Sequence, residues 1–501
     1  MNAFKRHWLV FIIFILGFLI RIRYLPGGNL MFSYDQARDA YTVQELLRGD
    51  IKIQGPPTST RDFFHGVLYY YVIAPGYWLG QGSPIVAAVW LSLINSLAIL
   101  LAYFIGFQLF KSQSLATLAS LFVAVSYEQT QHAIYLTNTA LAILFVPLLY
   151  YGLWQWQNRK TLGPILAGLG LGLSFQSNFI FIYHSLVILI LIVIKKISLS
   201  PKIIFMLLFT VTVTTSSMLI SEIKFGFPSR AGPANLLFNH STYSQLNVNF
   251  LTIFNSSLYQ FQRLISLNTF PTHPVIAAIL FVTCFLIFGI SGRRPDWWTI
   301  FSLGLVSFAP PLIIGGISTP YIHAGLDMLV IIFVVYFISR IRSPILKMVL
   351  IFIIVLSNLA YIKKQDSRGI TEFAIQKTMT LRHELDAIDY MYAEAKGGPF
   401  TFNSVTSPLY INTTWSYLFN WYGKSKYGYL PYWHGENQIG QPGNNLSTSL
   451  STRQVFVIIE PSQGIPEDLI DKILDKEKYF STFNHQKQFG EITVQNRTRR
   501  S

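Results

Sequence analysis

The sequence predicts a polytopic α-helical membrane protein with a small α/β domain at its C-terminus. Of its 501 residues, 51% are hydrophobic and only 12% are charged, which is about half the charged fraction of an ordinary soluble domain. Long apolar runs recur up to about residue 361, after which they shorten and acidic residues return. We therefore expect a multi-pass transmembrane domain over residues 1–361 and a folded extracytoplasmic α/β domain over residues 362–501.

The positive charge of the chain belongs mainly to the membrane part. The formal net charge is +15, and residues 1–361 hold 22 basic residues but only 9 acidic ones. In a membrane protein this excess indicates loop topology and contact with anionic lipid, so we expect membrane lipid and no nucleic acid among its partners. The single cysteine, Cys284, lies in an apolar run and has no partner for an intramolecular disulfide.

The first apolar run predicts the orientation of the chain. Residues 8–20 follow Lys5-Arg6-His7 without a small-residue cleavage pattern, so we interpret them as an uncleaved first helix with a cytoplasmic N-terminus. Ten further runs complete eleven predicted spans, at about 85–109, 114–127, 136–156, 162–176, 178–194, 203–220, 274–290, 297–315, 321–339 and 344–361. An odd number of spans places the C-terminal domain outside the cytoplasm, in a multi-pass protein of the cell membrane.

The basic residues of the loops agree with this topology, because they fall on alternate sides of the membrane. The cytoplasmic set comprises Lys111, Arg159, Lys160, Lys195, Lys196, Lys202, Arg293, Arg294, Arg340, Arg342 and Lys347. Lys363 and Lys364 are an exception, since they follow the last span on the predicted outer side. Arg21 and Arg23 also end the first span on that side, either to face a phosphate or to snorkel to the interface.

The first outer loop concentrates the acidic residues of the membrane part. Five of its nine carboxylates lie there: Asp35, Asp39, Glu45, Asp50 and Asp62. Helical spacing would place Asp35 and Asp39 one turn apart on one face, with Arg38 beside them. This pattern indicates either a catalytic carboxylate acting on an acceptor hydroxyl or a metal, or a solvated amphipathic helix with internal ion pairs. Gly55-Pro56-Pro57 and the aromatic residues that follow predict juxtamembrane helices at the headgroup level.

Four ionisable residues lie at or near the outer ends of spans, where burial makes a charge expensive at about 2.5–3.5 kcal/mol. His323 is one turn before Asp327, and the pair either meets the phosphate of a lipid-linked donor or stabilises helix packing. Glu128 and His132, also four residues apart, either line the same pocket as Asp35 or belong to a capped, solvated turn.

The pattern after residue 362 predicts a small α/β domain. Helices are expected near 370–396, 411–422 and 465–476, and strands near 399–404, 453–460 and 488–495. Aromatic residues concentrate between 415 and 434. They either form a surface for sugar rings or pack in the core and dock on the membrane loops.

The sequence lacks several common motifs of nucleotide-binding and hydrolytic enzymes. It contains no Walker loop, no HExxH, no nucleophile elbow and no Asp-x-Asp of the kind that holds a nucleotide sugar through a metal. An enzyme that faces outward has no access to cytoplasmic nucleotide sugars. Its donor would therefore have to arrive already attached to a lipid.

These features together resemble the GT-C class of membrane glycosyltransferases. The resemblance rests on a first span ending in Arg, on Tyr34-Asp35-Gln36-Ala37-Arg38-Asp39, on Gly49-Asp50, on Gly55-Pro56-Pro57 and on Gly168-Leu169-Gly170-Leu171-Gly172-Leu173. It is closest to the branch of protein O-mannosyltransferases and lipid A aminoarabinose transferases, which is similar to glycosyltransferase family 39. The resemblance implies transfer of a hexose or pentose from a polyprenyl-phosphate donor to an acceptor hydroxyl at the outer face, with inversion at the anomeric carbon.

The resemblance also implies roles for single residues. The family motif is commonly Asp-Glu with the Asp as base, but here Gln36 takes the second place, which puts a metal-binding role for the pair in doubt. Pro320-Tyr321-Ile322-His323 resembles the outer end of a late span in relatives. We expect the catalytic residues to be Asp35 and Asp39, the donor-phosphate ligands Arg61, Arg21 and His323, and the pocket residues Tyr34, Arg38, Glu128, His132, Tyr321 and Asp327.

Three matters stay open on the sequence alone. No cofactor is predicted with certainty, and a divalent metal is left open. The acceptor could be a glycan, a lipid or a protein. The competing function is a transporter or flippase for a lipid-linked sugar, which should carry coupled ionisable residues near the middle of the membrane, and only Asp327 meets that condition. A non-enzymatic scaffold would explain the outer domain but not the acidic loop.

Overall fold

The N-terminal part of the chain is helical, and the C-terminal part contains a five-stranded sheet. The computed structural model describes residues 2–58, 62–231, 250–290, 292, 294–309, 320–443, 445–448 and 452–500. The α-helices of the first part are α1 (Asn2–Ile22), α2 (Tyr34–Leu47), α3 (Leu68–Leu79), α4 (Pro84–Phe110), α5 (Gln113–Val125), α6 (Tyr127–Ile134), α7 (Ala142–Gln157), α8 (Leu162–Ser177), α9 (His184–Val193), α10 (Pro201–Thr214), α11 (Ser216–Lys224), α12 (Phe250–Ser266), α13 (Pro274–Ile290), α14 (Trp298–Val306), α15 (Asp327–Arg340) and α16 (Pro344–Asp366).

Several of these helices can cross a membrane. Among the described residues, four are long and apolar enough: His7–Gly27, Pro84–Phe110, Asn138–Gln157 and Pro344–Asp366. The bent pair α10 and α11, which meet at 62°, would make a fifth span. Shorter apolar helices lie at Gln113–Val125, Leu162–Ser177, Phe179–Val193 and Pro274–Ile290, where further spans are predicted. The polytopic helical architecture is therefore confirmed, whereas the number eleven stays a prediction.

Glycines allow α7 and α8 to approach closely. A Cβ atom on Gly170 would lie 2.4 Å from the backbone nitrogen of Leu149, and one on Gly152 would lie 2.3 Å from that of Ala167. Both distances are far below van der Waals contact between a carbon and a nitrogen atom, so no side chain fits there. Backbone-to-backbone packing of this kind is typical of small residues at helix interfaces in membranes.

Gly170→Ala should therefore destabilise the protein by about 1–3 kcal/mol, because the added methyl group meets a backbone that cannot move aside. The measurement is the apparent unfolding temperature of the purified protein in detergent. Gly168→Ala is the matched control, since its Cβ would first meet the Thr210 side chain, at 3.0 Å. Equal losses in the two variants would contradict the importance of the α7–α8 contact.

The C-terminal part forms a mixed sheet with strand order β2-β1-β3-β5-β4. Its strands are β1 (Phe400–Val405), β2 (Tyr432–Trp433), β3 (Gln454–Ile459), β4 (Ser481–Phe489) and β5 (Ile492–Arg499), and its α-helices are α17 (Leu381–Ala395), α18 (Thr413–Leu418), α19 (Lys424–Tyr427) and α20 (Glu467–Phe480). β1 pairs in parallel with β2 and β3, while β5 pairs antiparallel with β3 and β4.

Two predicted elements of this part differ from the observed ones. The strand near 488–495 is in fact a hairpin of β4 and β5, and β4 was missed because its side chains are mostly exposed and polar. The helix predicted from about residue 370 begins only at Leu381, after Thr380 as its N-cap. The chain before it is held to the first loop, where the Leu381 amide donates to the Leu30 carbonyl over 2.9 Å.

The C-terminal part docks on the first loop through aromatic residues. Tyr417 of α18 packs against the ring of Tyr41 at 5.0 Å between centroids and donates a 2.6 Å hydrogen bond to the Gly82 carbonyl. Trp415 and Trp433 are buried. These three members of the aromatic segment therefore serve in core packing and docking, which was one of the two predicted alternatives. A single hydrophobic core joins α2 and α3 to the sheet.

Candidate active site

The acidic segment of the first loop forms α2, which begins at a capping box. The Ser33 amide and hydroxyl both donate to the Gln36 side-chain oxygen, at 3.1 and 2.8 Å. The Gln36 amide nitrogen donates to the Leu136 carbonyl over 3.3 Å, which ties the helix to the chain after α6. Gln36 thus has a structural role at the place where the family motif carries Glu. Asp35 lies in the first turn, where the helix dipole favours a negative charge.

Arg38 bridges the two aspartates of this helix. Its Nη1 donates to Asp35 over 2.7 Å, while its Nε and Nη2 donate to Asp39 over 2.9 and 2.8 Å. The Asp35 side chain is 61% exposed, whereas that of Asp39 is 4% exposed. The guanidinium also lies over the Tyr34 ring, at 5.6 Å. Asp35 is therefore the carboxylate that an incoming molecule can reach, whereas the buried Asp39 holds Arg38 in position.

Burial raises the pKa of the Asp39 carboxyl to about 6, although Arg38 lies beside it and favours the charged form. Tyr70 approaches the same carboxylate, with its hydroxyl 3.4 Å away. At neutral pH Asp39 is mostly ionised and shares the charge of Arg38 with Asp35. Below about pH 6 Asp39 takes up a proton, and Asp35 alone then faces the guanidinium.

A second group of polar side chains is buried next to α6, which lies between two predicted spans. Glu128, His132, His323 and Asp327 are fully buried, and Arg263 of α12 is 6% exposed. The turn at Glu128 and His132 is capped by Ser126 but is not solvated, and His323 does not pair with Asp327, so these two alternatives are wrong. His323 instead contacts the side-chain oxygen of Gln260, at 3.0 Å, and Asp327 accepts from the Gln129 amide over 2.7 Å. The other two alternatives, which place these residues in a pocket, stay predictions.

Arg263 is the cation of this buried cluster. It lies 3.6 Å from Glu128, which also accepts a 2.9 Å hydrogen bond from the Asn268 amide. The guanidinium lies over the Phe373 ring, at 5.6 Å, and His132 stacks on the same ring, with centroids 4.4 Å apart. Sequence reasoning did not propose Arg263 as a site residue. Its signal was that the long loop between residues 221 and 274 carries very few basic residues.

Some polar atoms of the cluster have no hydrogen-bond partner among the described residues. They include both ring nitrogens of His132, Nδ1 of His323 and the side-chain oxygen of Gln129. Such a buried atom costs about 1–3 kcal/mol, so several in one place are unusual for a purely structural cluster. Burial lowers the pKa of the His132 imidazole to about 3, helped by the Arg263 charge, and it raises the pKa of the Glu128 carboxyl to about 7. His132 is therefore neutral at pH 7 and can donate one hydrogen bond.

The chain after α6 connects the buried cluster to the acidic helix. Burial raises the pKa of the Tyr135 phenol, and the nearby Asp35 carboxylate raises it further, as does Tyr321 to a smaller degree. The charge of Asp35 therefore acts on the Tyr135 phenol. The eight residues of α6 extend over about 12 Å, with Glu128 in the first turn and His132 in the last. The chain that follows reaches α2 at Leu136, whose carbonyl accepts from the Gln36 amide.

Of the predicted phosphate ligands, Arg21 has another role in the structure, and Arg61 is not among the residues that the structure describes. Arg21 is 1% exposed and donates to the carbonyls of Gly17, Val123 and Ala124 at 2.9–3.0 Å, so its guanidinium is committed to fastening α1 to α5. It is neither a phosphate ligand nor a snorkelling side chain. Within the part of the chain that the structure describes, no three His, Cys, Asp or Glu side chains converge as metal ligands.

Comparison with known proteins gives one kind of match. No family model matches the sequence, and no curated protein does. Among solved structures, ArnT from Cupriavidus metallidurans bound to undecaprenyl phosphate matches with a TM-score of 0.60 at 12% identity, covering 97% of each chain. This chain has the ArnT fold. The apo form of the same ArnT matches with a TM-score of 0.58 at 10% identity, covering 98% of this chain and 97% of that one.

The ArnT fold extends over nearly the whole chain, which includes the C-terminal sheet as well as the helices. This agreement confirms the resemblance to the GT-C class in its ArnT-like branch, at the level of the fold. The sequence identity of 10–12% is too low for sequence comparison alone to detect this similarity of fold.

Proposed function

We propose that the protein is a glycosyltransferase that moves a sugar from a polyprenyl-phosphate donor to an acceptor hydroxyl at the outer face of the membrane. One observation carries this proposal: Arg38 holds the exposed carboxylate of Asp35, and a buried cluster contains Arg263 and His132, whose two ring nitrogens have no partner among the described residues. The fold adds support, since ArnT with this fold was crystallised with undecaprenyl phosphate.

The acidic helix supplies the base of the proposed reaction. Asp35 accepts the proton of the acceptor hydroxyl while the hydroxyl oxygen attacks the anomeric carbon of the sugar. Arg38 fixes the orientation of this carboxylate through its 2.7 Å contact, and Asp39 fixes Arg38. Attack on the face opposite the phosphate breaks the bond from the anomeric carbon to the phosphate oxygen and inverts that carbon.

The buried cluster supplies the groups that stabilise the departing lipid phosphate. An arginine keeps its charge at physiological pH and suits the oxygens of a phosphate, so Arg263 is the principal candidate. His132 adds a hydrogen-bond donor, because both of its ring nitrogens lack a partner in the described structure. His323 uses its one N–H on the Gln260 oxygen, so its free Nδ1 can only accept and does not donate to the phosphate. Donors placed in advance where negative charge develops are among the most effective devices of catalysis.

The experiment that tests this function follows cleavage of the donor. Purified protein in detergent is incubated with undecaprenyl-phosphate-linked sugars that are labelled in the sugar, and both the label and the free undecaprenyl phosphate are measured. We expect the protein to release the two products in equal amounts. A protein that leaves the donor intact but moves it between the leaflets of a vesicle would instead be a transporter.

The pKa of Asp39 predicts an acid limb in the pH profile. Transfer should fall as the pH drops through about 6, because protonated Asp39 leaves the full charge of Arg38 on Asp35 and weakens that base. The measurement is the rate at saturating donor between pH 5 and 8. Asp39→Asn copies the protonated state, so it should be slower at pH 8 and should lose this limb. A variant that keeps the wild-type profile would contradict the assignment.

A further inference from the structure

A pocket of basic residues opens between the C-terminal ends of α1 and α16. Its volume is about 550 Å³, and its lining comprises Arg23, Tyr24, Ala360, Lys363, Lys364, Ser367 and Arg368. We call its four cations, Arg23, Lys363, Lys364 and Arg368, the basic pocket. Among the described residues, no acidic side chain contributes to the lining.

The cations of the basic pocket are not neutralised by the protein. Within the described ranges none of them forms an ion pair, and all four are exposed. Asp366, the acid nearest in sequence, is 2% exposed and accepts a 2.8 Å hydrogen bond from the Gln131 amide. The helix dipole explains a preference for Lys363 and Lys364 in the last turn of α16. It does not explain Arg23, which comes from another helix.

The pocket lies at the ends of two helices that can span a bilayer, and this position favours a lipid as its ligand. Both α1 and α16 are long enough to span a bilayer, and their C-terminal ends form the pocket. Below it, large apolar side chains point outward from both helices: Leu16 and Leu19 on α1, and Phe352 and Leu356 on α16, each 47–62% exposed. Four cations therefore lie at the headgroup level above a surface suited to acyl chains. They also break the predicted topology rule, which expects few basic residues on this side.

We propose that the basic pocket binds the phosphate of an anionic membrane lipid, with its acyl chains lying along α1 and α16. This inference goes beyond the proposed function, because it does not depend on any sugar transfer. Both helices pack on α6, and the Tyr127 ring of α6 meets the Tyr361 ring of α16 at 4.6 Å. A lipid bound there would hold together the two helices that support the element carrying Glu128 and His132.

The test compares lipid binding by a pocket variant, which loses four cations, and a control variant, which loses three. The first changes Arg23, Lys363, Lys364 and Arg368 to Gln. The control changes Lys195, Lys196 and Lys202 to Gln, three exposed lysines on the predicted cytoplasmic side. The probes are dihexanoyl phosphatidylglycerol, dihexanoyl phosphatidylcholine and inorganic phosphate, and the readout is the dissociation constant for the protein in a neutral detergent.

We expect wild type and control to bind phosphatidylglycerol more tightly than the other two probes. The pocket variant should lose about fivefold in affinity for each charge removed. Unchanged binding by the pocket variant, or an equal loss in the control, would overturn the proposal. Inorganic phosphate that binds as tightly as the lipid would identify a free-anion site and overturn the assignment to lipid. Should the fourfold variant fail to fold, Lys363→Gln with Lys364→Gln carries the same test with an expected loss of about 25-fold.

Discussion

Asp35→Asn should lower the rate of sugar transfer by about 10²–10⁴-fold, because the amide keeps the size of the carboxylate but cannot accept the proton of the acceptor. The change leaves a side-chain oxygen that can still accept the 2.7 Å contact from Arg38. We therefore expect expression and donor binding close to those of the wild type. The measurement is the release of labelled sugar at saturating donor.

Asp50→Asn is the matched control for Asp35. Asp50 lies in the same loop, its side chain is 65% exposed, and it pairs with a basic residue, Lys52, over 2.5 Å. The two substitutions therefore remove the same charge from similar surroundings, but only one lies next to Arg38. Wild-type turnover in Asp35→Asn, or an equal loss in Asp50→Asn, would show that Asp35 is not the base.

Arg263→Gln should lower the rate by about 10²–10³-fold, since it removes the charge that stabilises the departing phosphate. Glu128 loses its cation in this variant. Because burial already raises the pKa of Glu128 to about 7, the carboxyl can take up a proton and avoid an unpaired buried charge. We expect kcat to fall more than donor affinity, and Arg263→Lys to recover part of the rate.

The control for Arg263 is Arg230→Gln, which removes an exposed arginine from the same long loop. Its transfer rate should stay at the wild-type value. A fall in donor affinity with kcat unchanged in Arg263→Gln would limit this residue to binding the donor in its ground state. Such a result would contradict stabilisation of the leaving group while leaving the assignment of Asp35 intact.

Local periodicity was sufficient to predict the acidic helix α2 and the helical architecture of the membrane part. Residues three or four apart on a helix share a face whatever the rest of the chain does, so the contact of Arg38 with Asp35 follows from spacing. Its contact with the adjacent Asp39 does not, because neighbouring residues of a helix point to different faces. The apolar runs likewise predicted α4, α5 and α7, because a segment in lipid must satisfy its own backbone. α6 was expected as a turn, since its sequence is polar. The role of Gln36 was not predictable in this way, since it depends on the Leu136 carbonyl 100 residues away.

The sequence by itself determined that this is a helical membrane protein, that acidic residues gather after its first span, and that a segment of mixed helices and strands follows its last. Only the tertiary structure decided which charged residues meet. It committed Arg21 to backbone carbonyls, brought Arg263 to Glu128, and separated His323 from Asp327. The physical reason is that patterning depends on neighbours within one or two turns, whereas a buried charge takes its partner from whichever helix packs beside it.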